Sequence, residues 1–480
     1  MDQQGRKRLP GNRVVRRRID ATQIIDIPDH GPRVDVPSVQ VHAKRFVLAL
    51  LALIATSTVL LSLPWATESG KATPPVDAFF TAVSATSVTG LAVVDTQHHW
   101  SFLGELLILI QIQVGGLGFM VGASVVLASL GRALTLRDSL MLQDGSPTLS
   151  LFEATQLSKR ILRFIFIAEG AGFIFFTAHF LRSEPIHVAV WHGLFTSVSA
   201  FCNAGFDLQG EFTSLSGFAD SILVNGTAFV LIQAGALSFI TFSDAWSKKR
   251  WGRFALDTKL VLLTNLILLA GGMAMFLILE WGNAMAGMHN WAKPMAAFFQ
   301  SASVRTAGFS TFDFSEAHPA TVFLSIAIMM VGGAAGSTTG GVKLATIAVL
   351  AIAVLSTVRG QADAQAFGRR VSSRIVFRAM AVTALFLFAH FVLTLSLAVS
   401  EDVIADNGFG FLPLMLEGMS AIATAGLSTG ITPDVSAAGK LLLCVGMFVG
   451  RLGPLTAVYA LQRRQQATRY RFPEAPIRIG

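Results

Sequence analysis

Four glycines stand at corresponding points of the chain, each at the end of a short apolar segment. They are Gly90, Gly205, Gly308 and Gly426, about 100 to 120 residues apart. The stretches around them read SATSVTGL at 84–91, SAFCNAGF at 199–206, ASVRTAGF at 302–309 and SAIATAGL at 420–427. This spacing is too long for a solenoid repeat and suits a unit of two membrane helices with a shorter element between them. The pattern predicts a fourfold internal repeat.

Four glycine turns offer a particular chemistry. Glycine adopts positive φ without steric cost, so consecutive carbonyl oxygens can be turned toward one axis. A ring of such oxygens replaces the hydration shell of a monovalent cation, and the C-terminal ends of preceding helices add partial negative charge. The residues predicted to form this ring are Val88, Thr89, Gly90, Asn203, Ala204, Gly205, Thr306, Ala307, Gly308, Thr424, Ala425 and Gly426. We expect K⁺ to bind there, in the outer half of a membrane.

The composition is that of a membrane protein. Of 480 residues, 52% are hydrophobic and 14% are charged, and the mean hydropathy is +0.59. The formal net charge is +8. The basic residues lie between the apolar spans and at the chain ends, which indicates orientation signals and not a nucleic-acid surface. Cys202 and Cys444 both lie in apolar stretches, so neither a disulfide framework nor a zinc site is predicted.

The lengths of the apolar stretches predict the helices that position the glycines. Eight long apolar spans lie at 46–63, 102–130, 160–181, 221–246, 259–279, 321–355, 376–399 and 438–461. Four shorter stretches lie inside the pairs, at 75–85, 188–200, 294–303 and 412–422. The short stretches cannot cross a bilayer and suit re-entrant helices. The predicted fold is an all-α membrane protein in which four helix, pore-helix, helix repeats surround a pseudo-fourfold central pore, with eight transmembrane helices.

The charge distribution predicts the topology. Basic residues concentrate in the connections between pairs of spans, whereas the loops inside pairs are richer in acids. Both termini are therefore expected in the cytosol. The predicted units are a basic cytosolic tail at 1–45, repeats at 46–131, 158–247, 257–356 and 374–462, and a second basic cytosolic tail at 463–480.

The second helix of each unit carries small residues that predict a break, at Gly115, Gly235, Gly332 and Gly450. The stretch GGAAGSTTGG at 332–341 cannot continue as a helix, because glycine costs about 1 kcal/mol per position relative to alanine. A phosphate-binding loop is not favoured, since Val342 separates the last glycine from Lys343. A flexible kink that only packs helices closely is the structural alternative.

Taken together, these motifs resemble one known family. TSVTGL, FCNAGFD, VRTAGF, ATAGLSTG, GGAAGSTTGGVK and the late GRLGP are similar to the pore-forming subunit of the bacterial Trk/Ktr/HKT potassium transporter superfamily, over residues 46–461. Eight crossings make the Ktr branch the most similar. The resemblance implies a homodimer with one pore per subunit, in the bacterial inner membrane, with a cytosolic ring of nucleotide-binding regulatory subunits. It also implies potassium uptake, often dependent on Na⁺, with no covalently bound cofactor.

The resemblance further implies a gate below the filter. The corresponding stretch of the Ktr family is an intramembrane loop that obstructs the path, and the residues carried over are Gly332, Gly333, Gly336, Ser337, Thr338, Thr339, Gly340, Gly341 and Lys343. Gly90 stands where a sodium-selective relative carries serine, which favours potassium.

Two arginines, Arg451 and Arg305, lie in segments predicted to be within the membrane. Arg451 lies deep in the last span, where a charge is costly unless it is paired or faces water. We hypothesise that it donates to the 336–339 region and holds the gate shut; snorkelling to the cytosolic interface is the alternative. Arg305 is expected to brace the filter from behind. His192 and His390 are interpreted as hydrogen-bonded packing residues.

The motifs also bear on two other function classes. GLSTG at 426–430 formally matches the GxSxG motif of hydrolases, but no sheet is predicted and the repeat already explains its first glycine, so an enzyme is not expected. An alternating-access secondary carrier is the stronger alternative, since broken helices are typical of it too. A carrier predicts halves of opposite orientation, whereas these four repeats share one.

Overall fold

The structure is a computed structural model that describes residues 36–135, 151–361 and 363–461. Most of the predicted N-terminal tail and the predicted C-terminal tail lie outside the described residues. Ala43–Gly480 forms one compact unit, and Met1–His42 forms another, of which only the start of the first helix is described.

The fold is helical, with one small hairpin. The helices at the predicted long spans are α1 Val36–Leu61, α4 Phe102–Thr135, α5 Leu151–Phe180, α7 Ile222–Lys248, α8 Leu256–Glu280, α10 Pro319–Met329, α11 Leu344–Val358, α12 Ser373–Ala398 and α14 Ala437–Leu461. The four helices at the predicted short stretches, called the short helices below, are α2 Pro75–Ser87, α6 Ile186–Cys202, α9 Lys293–Thr306 and α13 Phe411–Ala423, and α3 Thr96–His99 is a single turn before α4. The hairpin joins β1 Gln365–Ala366 to β2 Arg369–Arg370 in antiparallel register.

The short helices match the positions predicted for the re-entrant stretches. α2, α6, α9 and α13 are buried along most of their length and lie between successive long helices. α1 begins at Val36, ten residues before the predicted span and inside the predicted tail.

Within the described residues, five helices are long and apolar enough to cross a membrane. They lie at Phe102–Val121, Gln156–Phe180, Ile222–Lys248, Leu256–Glu280 and Ser373–Asp402. The predicted span 321–355 is divided into α10 and α11 by the loop at 330–343. A chain of this composition is therefore a multi-pass membrane protein, and the count of eight crossings remains a prediction.

The packing order of the helices is cyclic. α6, α9 and α13 each pack between the two spans of their own predicted repeat, and α2 packs on α4, the second span of its repeat. The second span of each repeat also packs on the short helix of another repeat. The contacts between predicted repeats join α4 to α6, α7 to α9, α10 to α13, and α14 to α2. The last contact returns to the first repeat, where Lys440 of α14 pairs with Asp77 of α2 at 2.8 Å. The contacts between predicted repeats thus form a closed series.

The predicted helix breaks are only partly correct. α4 runs through Gly115 without a kink. Non-helical backbone occurs in α7 at Ser238 and in α14 at Gly453, three residues after the glycines named in the prediction. Gly115, Gly235 and Gly450 have another role, because a Cβ at each would come closer than 3.0 Å to the carbonyl oxygen of Thr86, Phe201 or Ile422 in the adjacent short helix. The small-residue motifs at 235–238, 332–336 and 450–453 therefore do contain or adjoin breaks, and the prediction is wrong only at Gly115.

Candidate functional site

Three of the four short helices end in the same way. The residue after each helix has a left-handed backbone, with φ of 56° at Val88, 60° at Asn203 and 49° at Thr424. The next amide closes the turn on a carbonyl five residues back, as in the bond of 2.9 Å from Thr89 N to Ser84 O. This Schellman arrangement leaves the last helical carbonyls at the end of the helix dipole, where partial negative charge accumulates.

The glycines themselves form a closed cycle of neighbours. A Cβ built on Gly90 would lie closer than 3.0 Å to Ala204 O, on Gly205 to Ala307 O, on Gly308 to Ala425 O, and on Gly426 to Thr89 O. All four have positive φ, between 71° and 93°. A side chain at any of them would therefore need both a strained backbone and displacement of the adjacent turn. Each predicted ring residue lies in one of these four turns, and the turns contact one another in order.

The third turn differs from the other three. α9 continues through Thr306, and Ala307 caps it with φ −109° and no left-handed residue. A serine hydroxyl fastens the first three turns, and its position is displaced in the third. Ser84 Oγ donates to Leu91 O at 2.7 Å, whereas in the third turn Ser303, not the aligned Ala302, donates to Phe309 O. The third turn is shorter by one residue between its serine and its fastened carbonyl.

Polar side chains in two of the short helices fasten the segments that follow the turns. Glu417 of α13 is buried and accepts hydrogen bonds from Ser428 Oγ and, at 3.0 Å, from Thr432 Oγ1. Gln300 of α9 accepts from Thr311 N at 3.3 Å. The sequence analysis did not identify these residues, although an acid in a short apolar helix is a usable signal.

The loop at 330–343 is a compact structure held by its own backbone. Gly332 N donates to Val342 O and Val342 N donates to Met330 O, each at 2.9 Å, which joins the end of α10 to the start of α11. Inside the loop, Thr339 Oγ1 accepts from Gly333 N at 2.8 Å. The predicted interruption of the helix is therefore an ordered turn with internal hydrogen bonds.

The same loop lies against two of the glycine turns. Asn203 Nδ2 donates to Thr338 Oγ1 at 3.0 Å, and a Cβ on Gly340 would come closer than 3.0 Å to Thr424 Oγ1. Thr338 N donates to Gly235 O at 3.2 Å, which also ties the loop to α7. Every residue predicted for this site, from Gly332 to Lys343, belongs to the loop or to its immediate end.

Arg451 joins the loop to two long helices. Its side chain is only 3% exposed, so it does not snorkel to an interface. Nη1 donates to Thr338 O and Nη2 donates to Gly115 O at 3.1 Å, and the guanidinium lies 4.7 Å from the centre of the Phe119 ring. The contact hypothesised from the sequence is thus present in the structure. Lys343 donates to Thr339 O at 2.6 Å on the other side of the loop.

Arg305, His192 and His390 are all buried, and their contacts differ. Arg305 is 2% exposed, and its Nε and Nη1 atoms have no hydrogen-bond partner among the described residues. His192 Nδ1 lies 3.0 Å from a carboxylate oxygen of Glu184, and His390 Nδ1 lies 3.4 Å from Thr394 Oγ1. The two histidines are placed as packing residues, and within the part of the chain that the structure describes Arg305 shows no bracing contact.

Asp207 is an additional candidate that follows the second turn. Its carboxylate accepts from Gln209 N at 3.0 Å. Burial raises the pKa of Asp207 to about 6, and the neighbouring charge of Asp95 acts in the same direction. The residue is therefore a carboxyl group near the glycine turns whose charge changes close to neutral pH.

Comparisons with known proteins agree with these observations. A family model described as TrkH, cation transport protein, matches residues 34–468. The Ktr system potassium uptake protein B of Vibrio alginolyticus is 35% identical over 445 residues, which cover 91% of this chain and 94% of that protein. The potassium/sodium uptake protein NtpJ of Enterococcus hirae is 32% identical over 424 residues, which cover 88% and 93%. The crystal structure of the potassium transporter TrkH from Vibrio parahaemolyticus superposes with a TM-score of 0.68 at 20% identity, over 88% of this chain and 85% of that one.

Proposed function

The chain belongs to the TrkH family of cation transport proteins, as a potassium and cation uptake transporter of the Trk/Ktr kind, and we propose that its four glycine turns form the potassium-selective filter of a channel-like pore. The observation that carries the proposal is the closed cycle of contacts in which each glycine lies against the carbonyl before the next glycine. Such a cycle supports an arrangement in which carbonyl oxygens of the four turns surround one pseudo-fourfold axis. These oxygens bind a dehydrated K⁺, and the ends of the short helices stabilise its charge.

The tight approach of the turns explains the preference for glycine. A side chain at Gly90 would displace the carbonyl of Ala204, which is one of the proposed ligands. Changing the position of one carbonyl alters the cavity that must fit K⁺ and exclude Na⁺. A side chain at Gly90 should therefore lower the selectivity for K⁺ over Na⁺ more than it lowers the rate of transport.

The test is potassium uptake in a bacterial strain that lacks its own potassium systems. Gly90→Ser should restore growth less well at low potassium and should lower the ratio of potassium to sodium uptake at least tenfold. Gly226→Ser is the matched control, because nothing lies within 4 Å of a Cβ at that position. An unchanged ion ratio in Gly90→Ser would show that the cycle of turns is structural. Flux at a rate limited to a slow conformational cycle would favour the secondary carrier instead.

We also propose that the loop at 332–341, with Lys343 and Arg451, is the gate. It lies against the turns at Asn203 and Thr424, and Arg451 fastens it to α4 and α14. Two cationic groups beside the path add an electrostatic barrier to cations. Opening requires that the loop leave these contacts, which a cytosolic subunit could bring about by moving α10 or α11.

The assembly proposed on the basis of the resemblance is a homodimer in the bacterial inner membrane with both termini in the cytosol. The relatives named as components of a Ktr system support a separate regulatory subunit, proposed as a nucleotide-binding ring. Na⁺ is proposed to activate or accompany uptake. Rubidium flux measured with and without Na⁺, for the chain alone and with its co-purifying partner, tests the roles of Na⁺ and of the regulatory subunit. Flux that is the same under every condition would contradict both roles.

A further inference from the structure

A second candidate site lies away from the glycine turns, on the outer side of the helices. A cavity of about 340 Å³ opens between α4, α5 and α6. Its wall is almost entirely apolar and includes Ile110, Phe166 and Leu194, which are more than one-third exposed. Glu169 of α5 and Gln113 of α4 supply its polar groups.

Glu169 lies far from either end of its helix. It is eleven residues before Phe180, which corresponds to roughly 16 Å along an α-helix and places it near the middle of the hydrocarbon region. Its side chain is buried. An ionisable group at this depth is costly unless it is paired, and it usually has a functional reason to be there.

The carboxylate lacks a cationic partner. Gln113 Nε2 donates to Oε2 at 2.9 Å, and the other oxygen, Oε1, is met only by the thiol of Cys202 at 4.0 Å. Among the described residues, no lysine, arginine or histidine forms an ion pair with Glu169. One oxygen thus remains without an N–H or O–H donor from the described part of the chain.

We propose that this cavity is a binding site for lipophilic amines that enter from the bilayer. The ammonium group pairs with Glu169 and donates to Oε1, while the apolar body of the ligand fills the space between α4, α5 and α6. A neutral molecule of the same shape gains the apolar contacts but not the ion pair. The structure therefore assigns the site to cations with a compact hydrocarbon body.

Two substitutions separate the polar and the apolar parts of the site. Glu169→Gln is isosteric and removes the charge. Gly170→Leu fills the cavity but leaves Glu169 in place, and a Cβ at Gly170 meets nothing within 4 Å, so the helix tolerates it. Glu105→Gln is the matched control, since Glu105 is another buried acid of the same region that accepts from Trp191 Nε1 and does not line the cavity.

The experiment measures binding of radiolabelled 1-aminoadamantane to the purified full chain in lipid nanodiscs, with 1-adamantanol as the neutral competitor. Saturable binding is expected, with an affinity at least tenfold higher for the amine than for the alcohol. Glu169→Gln and Gly170→Leu should each weaken amine binding at least tenfold, and Glu105→Gln should leave it unchanged. Equal affinity for amine and alcohol, or wild-type binding by Glu169→Gln or by Gly170→Leu, would overturn the proposal. Binding is measured without ion flux, so the result is independent of the proposed filter.

Discussion

Replacement of Arg451 by glutamine should open the proposed gate. The arginine makes two hydrogen bonds to main-chain oxygens, those of Thr338 in the loop and Gly115 in α4. A hydrogen bond from a charged group contributes about 1.5–3 kcal/mol. Glutamine is shorter and uncharged and cannot reach both oxygens. If each of the two bonds contributes the lower value, the closed state loses about 3 kcal/mol, which corresponds to a roughly hundredfold shift toward the open state.

The assay is rubidium influx into liposomes that contain the purified chain without any partner. Wild-type flux should be low and Arg451→Gln flux should be tens to a hundred times higher. Arg451→Lys retains the charge but not the forked geometry, so it should give a smaller increase. Lys440→Gln is the matched control on the same helix, because Lys440 pairs with Asp77 and has no contact with the loop among those observed. A folded Arg451→Gln protein with wild-type flux would refute the reasoning.

Three further predictions use the same protein. Thr338→Val removes the hydroxyl that accepts from Asn203, and the loss of about 1 kcal/mol should raise rubidium flux about fivefold; unchanged flux would exclude a role for this bond. Burial raises the pKa of Asp207 to about 6, so its charge is present above that pH and lost below it. The apparent affinity for potassium should fall as external pH is lowered through 6, and Asp207→Asn should abolish this dependence; an identical pH profile in the variant would contradict it. Gly450→Ala should lower the free energy of unfolding by about 1–3 kcal/mol, because a Cβ there meets a backbone carbonyl. Gly271→Ala, with open space around the Cβ, should be neutral or stabilising. Equal stability of the two variants in calorimetric unfolding in detergent would contradict the packing argument.

The short helices and the glycine turns could be predicted from the sequence because both depend on local properties. An apolar stretch too short to cross the membrane has few alternatives to a re-entrant helix, and the ends of α2, α6, α9 and α13 lie within about three residues of the prediction. Glycine at a repeated position signals positive φ, and all four have it. The interruption of the span at 321–355 follows in the same way from the cost of several glycines in one helix.

What the sequence could not provide is the identity of the atoms that face each glycine. Gly115 resembles a helix-breaking site, yet α4 passes through it unbroken, and the glycine is needed there because the carbonyl of Thr86 lies where a side chain would be. The shift from Ala302 to Ser303 in the third turn is likewise invisible to an alignment on glycines, since it arises from one more residue of helix in α9. Both depend on tertiary contacts, which periodicity does not report.

The contacts of Asn203 bear on how gate and filter work together. Its backbone forms part of the second turn, with φ of 60°, while its side chain donates to Thr338 of the loop and accepts from Thr306 of the third turn at 3.4 Å. Displacing the loop therefore removes a hydrogen bond from a residue whose own carbonyl is a proposed ion ligand. The Asn203 amide then keeps only its bonds to the carbonyl oxygens of Phe201, at 3.1 Å, and Ile232, at 3.4 Å, and the second turn must adjust to this changed set of acceptors. It follows that an open gate and an unchanged filter are not independent states, and that ion selectivity measured in a gate-opened variant should differ from that of the wild type.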